Sequence, residues 1–344
     1  MKTCLFASGN SRRGATWSRL RSGVVALLAS LLLGSGLAQG EPADFHDLSP
    51  QERDKWLNDL RGVLDETKQS SKKPLDLDTM APQPWEQFRD GISWRIDESG
   101  FVVLDDGQRP MGSRIFARSC YLQHGDSFRH WAENYASGLK IAHLLATAIT
   151  ETGCSEAAAQ GSVDNKSTGL MQVTGYTCRS VLSYLGKRDM TEKACLDRMA
   201  AEPDFSIELA AAYITQPAQL KMTELDPPKV AAAYNAGGLY FDPKNPWRLR
   251  STGNHIDRFV SAYNAYVAWQ RDEAAGRKTR SPAVHLTRSV SLPDHVESLA
   301  ALNALTQMAK DGDIVFVGDW DLKRGDYYVF VKGAWRGSLE DSES

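Results

Sequence analysis

One carboxylic acid and two short motifs stand out in this 344-residue chain as residues able to do chemistry. Glu151 closes an apolar run in which Leu139, Ile141, Leu144, Leu145, Ala148 and Ile149 recur at spacings of three and four. That spacing predicts a helix with few solvated positions, and Gly153 predicts its stop. A carboxyl in the last turn of a mostly buried helix is desolvated, which raises its pKa and keeps it protonated near neutrality. This is the state a general acid needs. Further on come Gly169-Leu170-Met171-Gln172, a compact apolar turn with one amide, and Ala233-Tyr234-Asn235-Ala236-Gly237, which sets a phenol beside an amide. Each piece alone has an ordinary structural reading: a solvated helical Glu, a helix start, and a helix end capped by Gly237.

In this order and spacing the three pieces resemble the soluble lytic transglycosylase family of the goose-type lysozyme superfamily. The family pattern is Glu followed by Ser or Thr, then a loop, then G-L-M-Q, then A-Y-N-A-G; here it reads Glu151-Thr152, Gly169 to Gln172 and Ala233 to Gly237. The resemblance covers roughly residues 130–270. It implies a mainly helical lysozyme-like domain acting on peptidoglycan glycan strands without a cofactor. It casts Glu151 as the acid and then the base that cleaves the MurNAc-β-1,4-GlcNAc bond, with the sugar's own C6 hydroxyl closing a 1,6-anhydro ring. Met171 and Gln172 would form one sugar-binding wall, with Gly169 allowing close backbone approach, and Tyr234 and Asn235 the opposite wall. Hydrolytic relatives carry an Asp in the loop before G-L-M-Q, and Asp164 stands there; a loop Asp is also a common turn residue. Relatives often have a further Tyr in the last helix, facing the Glu. The best match is Phe259, which lacks the hydroxyl. Two other readings stay open: a hydrolytic muramidase using Glu151 and Asp164, and a non-catalytic wall-binding module of a secretion system.

Around these residues the chain reads as α+β: a lysozyme-like helical domain at 119–270 with small β-containing additions at both ends. Residues 1–40 resemble a signal peptide, with Arg12, Arg13, Arg19 and Arg21 ahead of an apolar run from Gly23 to Leu37 that is short for a membrane span. Residues 41–118 read as a helix, a linker and a small β element. Residues 271–284 read as a linker, and 285–344 as a small module with a helix over 292–310 and alternating strands from Ile314. The strand aromatics, Trp320 and Tyr327 among them, suit a small core or a sugar-stacking face.

The net charge of −3 gives no reason to expect nucleic acid. The mature chain has no apolar stretch of transmembrane length, and a cell-envelope secretion apparatus stays an open partner. Four cysteines follow the leader, Cys120, Cys154, Cys178 and Cys195, an even number that suits two disulfides in an exported chain. Three pairings are possible. Cys120–Cys154 with Cys178–Cys195 is favoured because each closes a modest loop. No C-x-x-C pair exists and the histidines do not cluster, so a metal site is not expected.

Overall fold

The computed structural model describes residues 93–135, 138–156, 167–187, 190–243, 245–277 and 282–340. All belong to one compact unit that spans 81–344. The leader, the expected helix after Leu48 and Asp164 lie outside the described residues.

Two short antiparallel strands, β1 (Trp94–Ile96) and β2 (Val102–Leu104), precede the helices. They are pinned to the body by Asn264, whose amide accepts from Val102 N and donates to Val102 O and Pro110 O. The helical body then runs α1 (Arg114–Asn134), α2 (Ile141–Thr152), a two-residue hairpin β3 (Ser167–Thr168) and β4 (Val173–Thr174), α3 (Gly175–Tyr184), α4 (Glu192–Ala201), α5 (Pro203–Ile214), α6 (Pro217–Thr223), α7 (Pro227–Ala236) and α8 (His255–Ala274). The starts follow from local chemistry. The side chains of Thr174, Thr191 and Asp226 accept first-turn N–H groups of α3, α4 and α7. Proline, which lacks the N–H that would go unpaired there, opens α5, α6 and α7.

Helix α2 sits at the centre, between α1 and α8. Every residue from Ala142 to Thr150 is buried. The polar residue near its start is neutral: His143 accepts from Lys140 N at Nδ1, and its Nε2–H donates to Leu225 O at 2.9 Å. Burial holds this imidazole down to about 4.

After α8 the chain straps back along α1. Val284 N donates to Ser119 Oγ and Leu286 N to Gln123 Oε1. It then forms a four-stranded sheet, β5 (His295–Val296), β6 (Ile314–Asp319), β7 (Arg324–Val331) and β8 (Ala334–Gly337), in that spatial order. β5 is parallel to β6 and the other pairs are antiparallel. The period-2 alternation divides this sheet cleanly. Ile314, Phe316, Tyr327, Val329 and Val331 join the main core of the helical body. Val315 and Val317 face the other way and make a small second core with Leu292 and Leu302. The aromatic positions Phe316 and Tyr327 are therefore core residues packed at 5.1 Å, edge to face.

The helix expected over 292–310 is shorter. Only α9 (Leu299–Ala304) is α-helical, started by Ser298, whose hydroxyl accepts from Ala301 N. Pro293 biases the residue before it away from helix, and His295–Val296 are drawn into pairing with β6.

Two disulfides join Cys120 to Cys154 and Cys178 to Cys195. The first ties α1 to the residue just past the end of α2, and the second ties α3 to α4. Closing a loop of 34 residues removes unfolded-state freedom worth about 4 kcal/mol. Cys154→Ser is expected to lower the unfolding free energy of the oxidised protein, read from urea titration, by about that amount without changing the far-UV helix signal of the folded state. An unchanged midpoint would mean the bond adds no constraint.

Candidate active site

Helix α2 ends inside the protein, and Glu151 stands in its final turn. A helix leaves its last four carbonyls without partners inside itself, and here each finds one. Ile149 O accepts from Gly153 N at 2.9 Å, with Gly153 in the left-handed conformation at φ 64°. Thr150 O accepts from the Arg258 guanidinium at 3.4 Å, Glu151 O from the Tyr327 hydroxyl at 2.7 Å, and Thr152 O from Ser155 Oγ at 2.8 Å. A Cβ at Gly153 would press on Ile314 and the Tyr327 ring at 3.1 Å, so the glycine both ends the helix and eases the close packing of the sheet against it.

The Glu151 side chain is 19% exposed. Burial raises its pKa from 4.5 to about 7, against the opposing pull of the Arg258 and Lys323 cations. At neutral pH a large share of the carboxyl therefore carries its proton. His255 Nε2 lies 3.9 Å from Glu151 Oε1. Desolvation first, and the Arg258 charge second, lower the His255 pKa to about 3. The imidazole is thus neutral, the approach is not an ion pair, and Nε2 has no hydrogen-bond partner among the described residues.

The Gly169–Gln172 turn is built against this helix end. The Thr152 hydroxyl donates to Leu170 O at 3.0 Å. Met171 is fully buried; its N–H donates to Ser206 Oγ, and its carbonyl accepts from the Tyr234 hydroxyl at 2.7 Å. Tyr234 stays a neutral phenol, its pKa pushed well above 10 by burial and then by the nearby Glu151 charge. Gln172 adopts φ 48°, donates from Nε2 to Gly169 O and accepts at Oε1 from Ser167 Oγ. Its amide thus braces the turn. Gly169, expected to allow close backbone approach, leaves room for the backbone of α4: a Cβ there would lie 2.4 Å from Met199 O. Asn235 Oδ1 accepts from Thr252 N at 2.7 Å and so holds the loop that leads into α8.

A cleft of about 570 Å³ opens beside these residues. Gln172, Tyr234, Asn235, Tyr176, Tyr213 and Glu192 are among its lining residues. Tyr234 is the link between cleft and carboxyl, since it lines the first and feels the charge of the second. The structure thus brings Glu151, Met171, Gln172, Tyr234 and Asn235 into one neighbourhood. Phe259 is fully buried in the core. The residue of α8 that faces Glu151 is His255, one turn earlier on the same helical face. Lys323 and Tyr327, from a segment far along the chain, complete the surroundings. Among the described residues no group of three or more His, Cys, Asp or Glu side chains is placed to hold a metal ion.

Residues 127–243 match the family model of the transglycosylase SLT domain. No curated protein and no solved structure matches the chain.

The raised pKa of Glu151 has a consequence for stability. The unfolded carboxyl ionises near 4.5 and the folded one near 7. The folded state therefore holds the proton more tightly, and this contribution to stability is lost as pH rises from 4.5 through 7. Glu151→Gln, neutral at every pH, is expected to be more stable than the parent by about 2–3 kcal/mol at pH 8 and close to it at pH 4. Urea unfolding at the two pH values measures this. A difference that does not change with pH would mean Glu151 is not held neutral.

Proposed function

We propose, from the match of residues 127–243 to the transglycosylase SLT domain, that the chain is a lytic transglycosylase acting on peptidoglycan, whose single catalytic acid and base is Glu151. The observation behind this is the Glu151 carboxyl, raised by burial to about 7, beside Tyr234, which lines an open cleft. In the first step the Glu151 proton passes to the oxygen linking MurNAc to GlcNAc, and the C1–O bond breaks with positive charge growing at C1. The GlcNAc unit leaves with a 4-hydroxyl. In the second step the Glu151 carboxylate takes the proton of the MurNAc C6 hydroxyl as that oxygen bonds to C1. A 1,6-anhydro ring forms, the carboxyl regains its proton and no water is consumed.

A group that serves as acid and then base works best with a pKa near the working pH, and about 7 meets that condition. Tyr234 and Asn235 line the cleft and would hold the sugar against Glu151. Met171 would act through its backbone, by anchoring Tyr234. Gln172 would shape the wall, with one remaining N–H of its amide available to a sugar hydroxyl or N-acetyl group. We place the enzyme in the periplasm or outside the cell, where its substrate is and where its two disulfides are stable. No helix among the described residues is long and apolar enough to cross a membrane.

Mass spectrometry of sugars released from purified peptidoglycan is the test. Anhydro-muropeptides, lighter by one water than reducing products, are expected from the parent. Glu151→Gln should lower turnover by a factor of at least ~10³, the loss of a principal acid–base group, with the folded circular-dichroism spectrum retained. Reducing-end products would replace this reaction with hydrolysis, and near-parental turnover of Glu151→Gln would remove the assignment.

A further inference from the structure

His255, Arg258, Lys323 and Tyr327 all approach the end of α2, and all lie beyond the matched residues 127–243. Two of them belong to the β6–β7 hairpin, which is fastened to the start of α8. Asn254 exchanges two hydrogen bonds with Gly325, at 3.0 and 3.2 Å. Arg258 Nη1 donates to Lys323 O at 3.1 Å and Gly325 O at 3.3 Å. Gly253 meets the Lys323 carbonyl so closely that a Cβ would lie 2.1 Å from it. Lys323 itself sits in the left-handed region at φ 50°, in the turn between the strands. Its ammonium lies 3.7 Å from the centre of the Trp320 ring, and that ring stacks on His295 at 5.2 Å and 11°. The ammonium is thus held by an aromatic support rather than waving in solvent.

We propose that the β6–β7 hairpin is a wall of the active site, with Tyr327 as the positioning residue for Glu151 and Lys323, whose carbonyl Arg258 ties to the same helix end, as the cation on that wall. This rests on the reading of Glu151 as the acid. Tyr327 grips the carbonyl of Glu151 itself, so the hydroxyl fixes where the turn places the carboxyl. The titratable and charged groups facing that carboxyl are Tyr234 from α7, His255 and Arg258 from α8, and Lys323 and Tyr327 from the hairpin. Tyr234, His255 and Tyr327 are neutral at working pH. Arg258 spends its guanidinium on the carbonyls of Thr150, Lys323 and Gly325 and cannot be removed without unfastening the hairpin. Lys323 meets Arg258 through its backbone carbonyl, so its side chain is the charge to alter.

The experiment is a carbon-13 NMR titration of the Glu151 carboxyl in the full chain, with kcat and KM on purified peptidoglycan measured in parallel. A cation favours the carboxylate, so Lys323→Met should move the Glu151 midpoint upward by about 0.5–1 pH unit, the effect of one partly screened charge. The basic limb of kcat/KM should move with it. Lys323→Arg should restore both. Tyr327→Phe keeps the ring and loses the donor; it should lower kcat about tenfold with KM nearly unchanged, the signature of a misplaced acid. An unmoved midpoint in Lys323→Met, or a midpoint that moves equally in Lys323→Arg, would overturn the role of Lys323. A parental kcat in Tyr327→Phe would overturn that of Tyr327. If the parent protein releases no sugars, the catalytic reading fails, and the titration still decides whether the hairpin controls the carboxyl.

Discussion

The constraint on which the rest depends is a helix that ends in the interior. Four carbonyls at its carboxyl end must be paired, and the carboxyl of Glu151 stands among them in a region that already carries partial negative charge. Only Ile149 and Thr152 find partners nearby, at Gly153 and Ser155. Thr150 and Glu151 take theirs from Arg258 and Tyr327, more than a hundred residues away in sequence. The carbonyls that need donors and the carboxyl that needs a proton are thus served by the same two elements, α8 and the C-terminal sheet. This explains why that sheet shares the core of the helical body, with Phe316 and Tyr327 packed beneath the helix end.

The rest of the neighbourhood is made of polar groups kept neutral. His255 is buried 3.9 Å from the carboxyl yet titrates near 3, so it adds no positive charge at working pH. Tyr234 and Tyr327 are phenols whose ionisation is suppressed by burial. A protonated histidine at the position of His255 would pull the Glu151 pKa far down and leave a carboxylate with no proton to give. Burial keeps it neutral, and the like charge of Arg258 adds to that. The one arginine therefore caps a helix, anchors the hairpin and reinforces an uncharged imidazole.

What could be read from the sequence was local. The apolar spacing before Glu151, Gly153 as a stop and the alternation from Ile314 all reappear as α2, its cap and β6. Both disulfides join the cysteines whose loops are short. The motif residues Met171, Gln172, Tyr234 and Asn235 do gather near Glu151. What packing adds is their partners inside the fold: the Met171 carbonyl accepts from Tyr234, the Gln172 amide gives one of its two N–H groups to Gly169 O, and Gly169 leaves room for the backbone of α4. His255 carried no motif. Only the helical register of α8, which puts it one turn before Phe259, could have pointed to it. Lys323 and Tyr327 were beyond reach, since nothing in alternating strands says which helix end their face will cover.

On the reading proposed for Glu151, a single carboxyl must both give and take a proton, and it faces opposing demands. Burial alone would hold the proton too tightly, making a weak acid and leaving an ionised form that is costly to reach. Strong pairing with a cation would leave a carboxylate that seldom carries the proton at all. Here burial sets the direction, raising Glu151 above its ordinary value, while Arg258 and Lys323 oppose it without winning. The balance lands near 7, where the two protonation states differ little in free energy and each step of a two-step transfer starts from a populated form. Because one of those opposing charges, Lys323, comes from the turn between β6 and β7, the matched helical segment by itself does not contain everything that surrounds the Glu151 carboxyl. Those surroundings are drawn from residues 151 to 327 taken together.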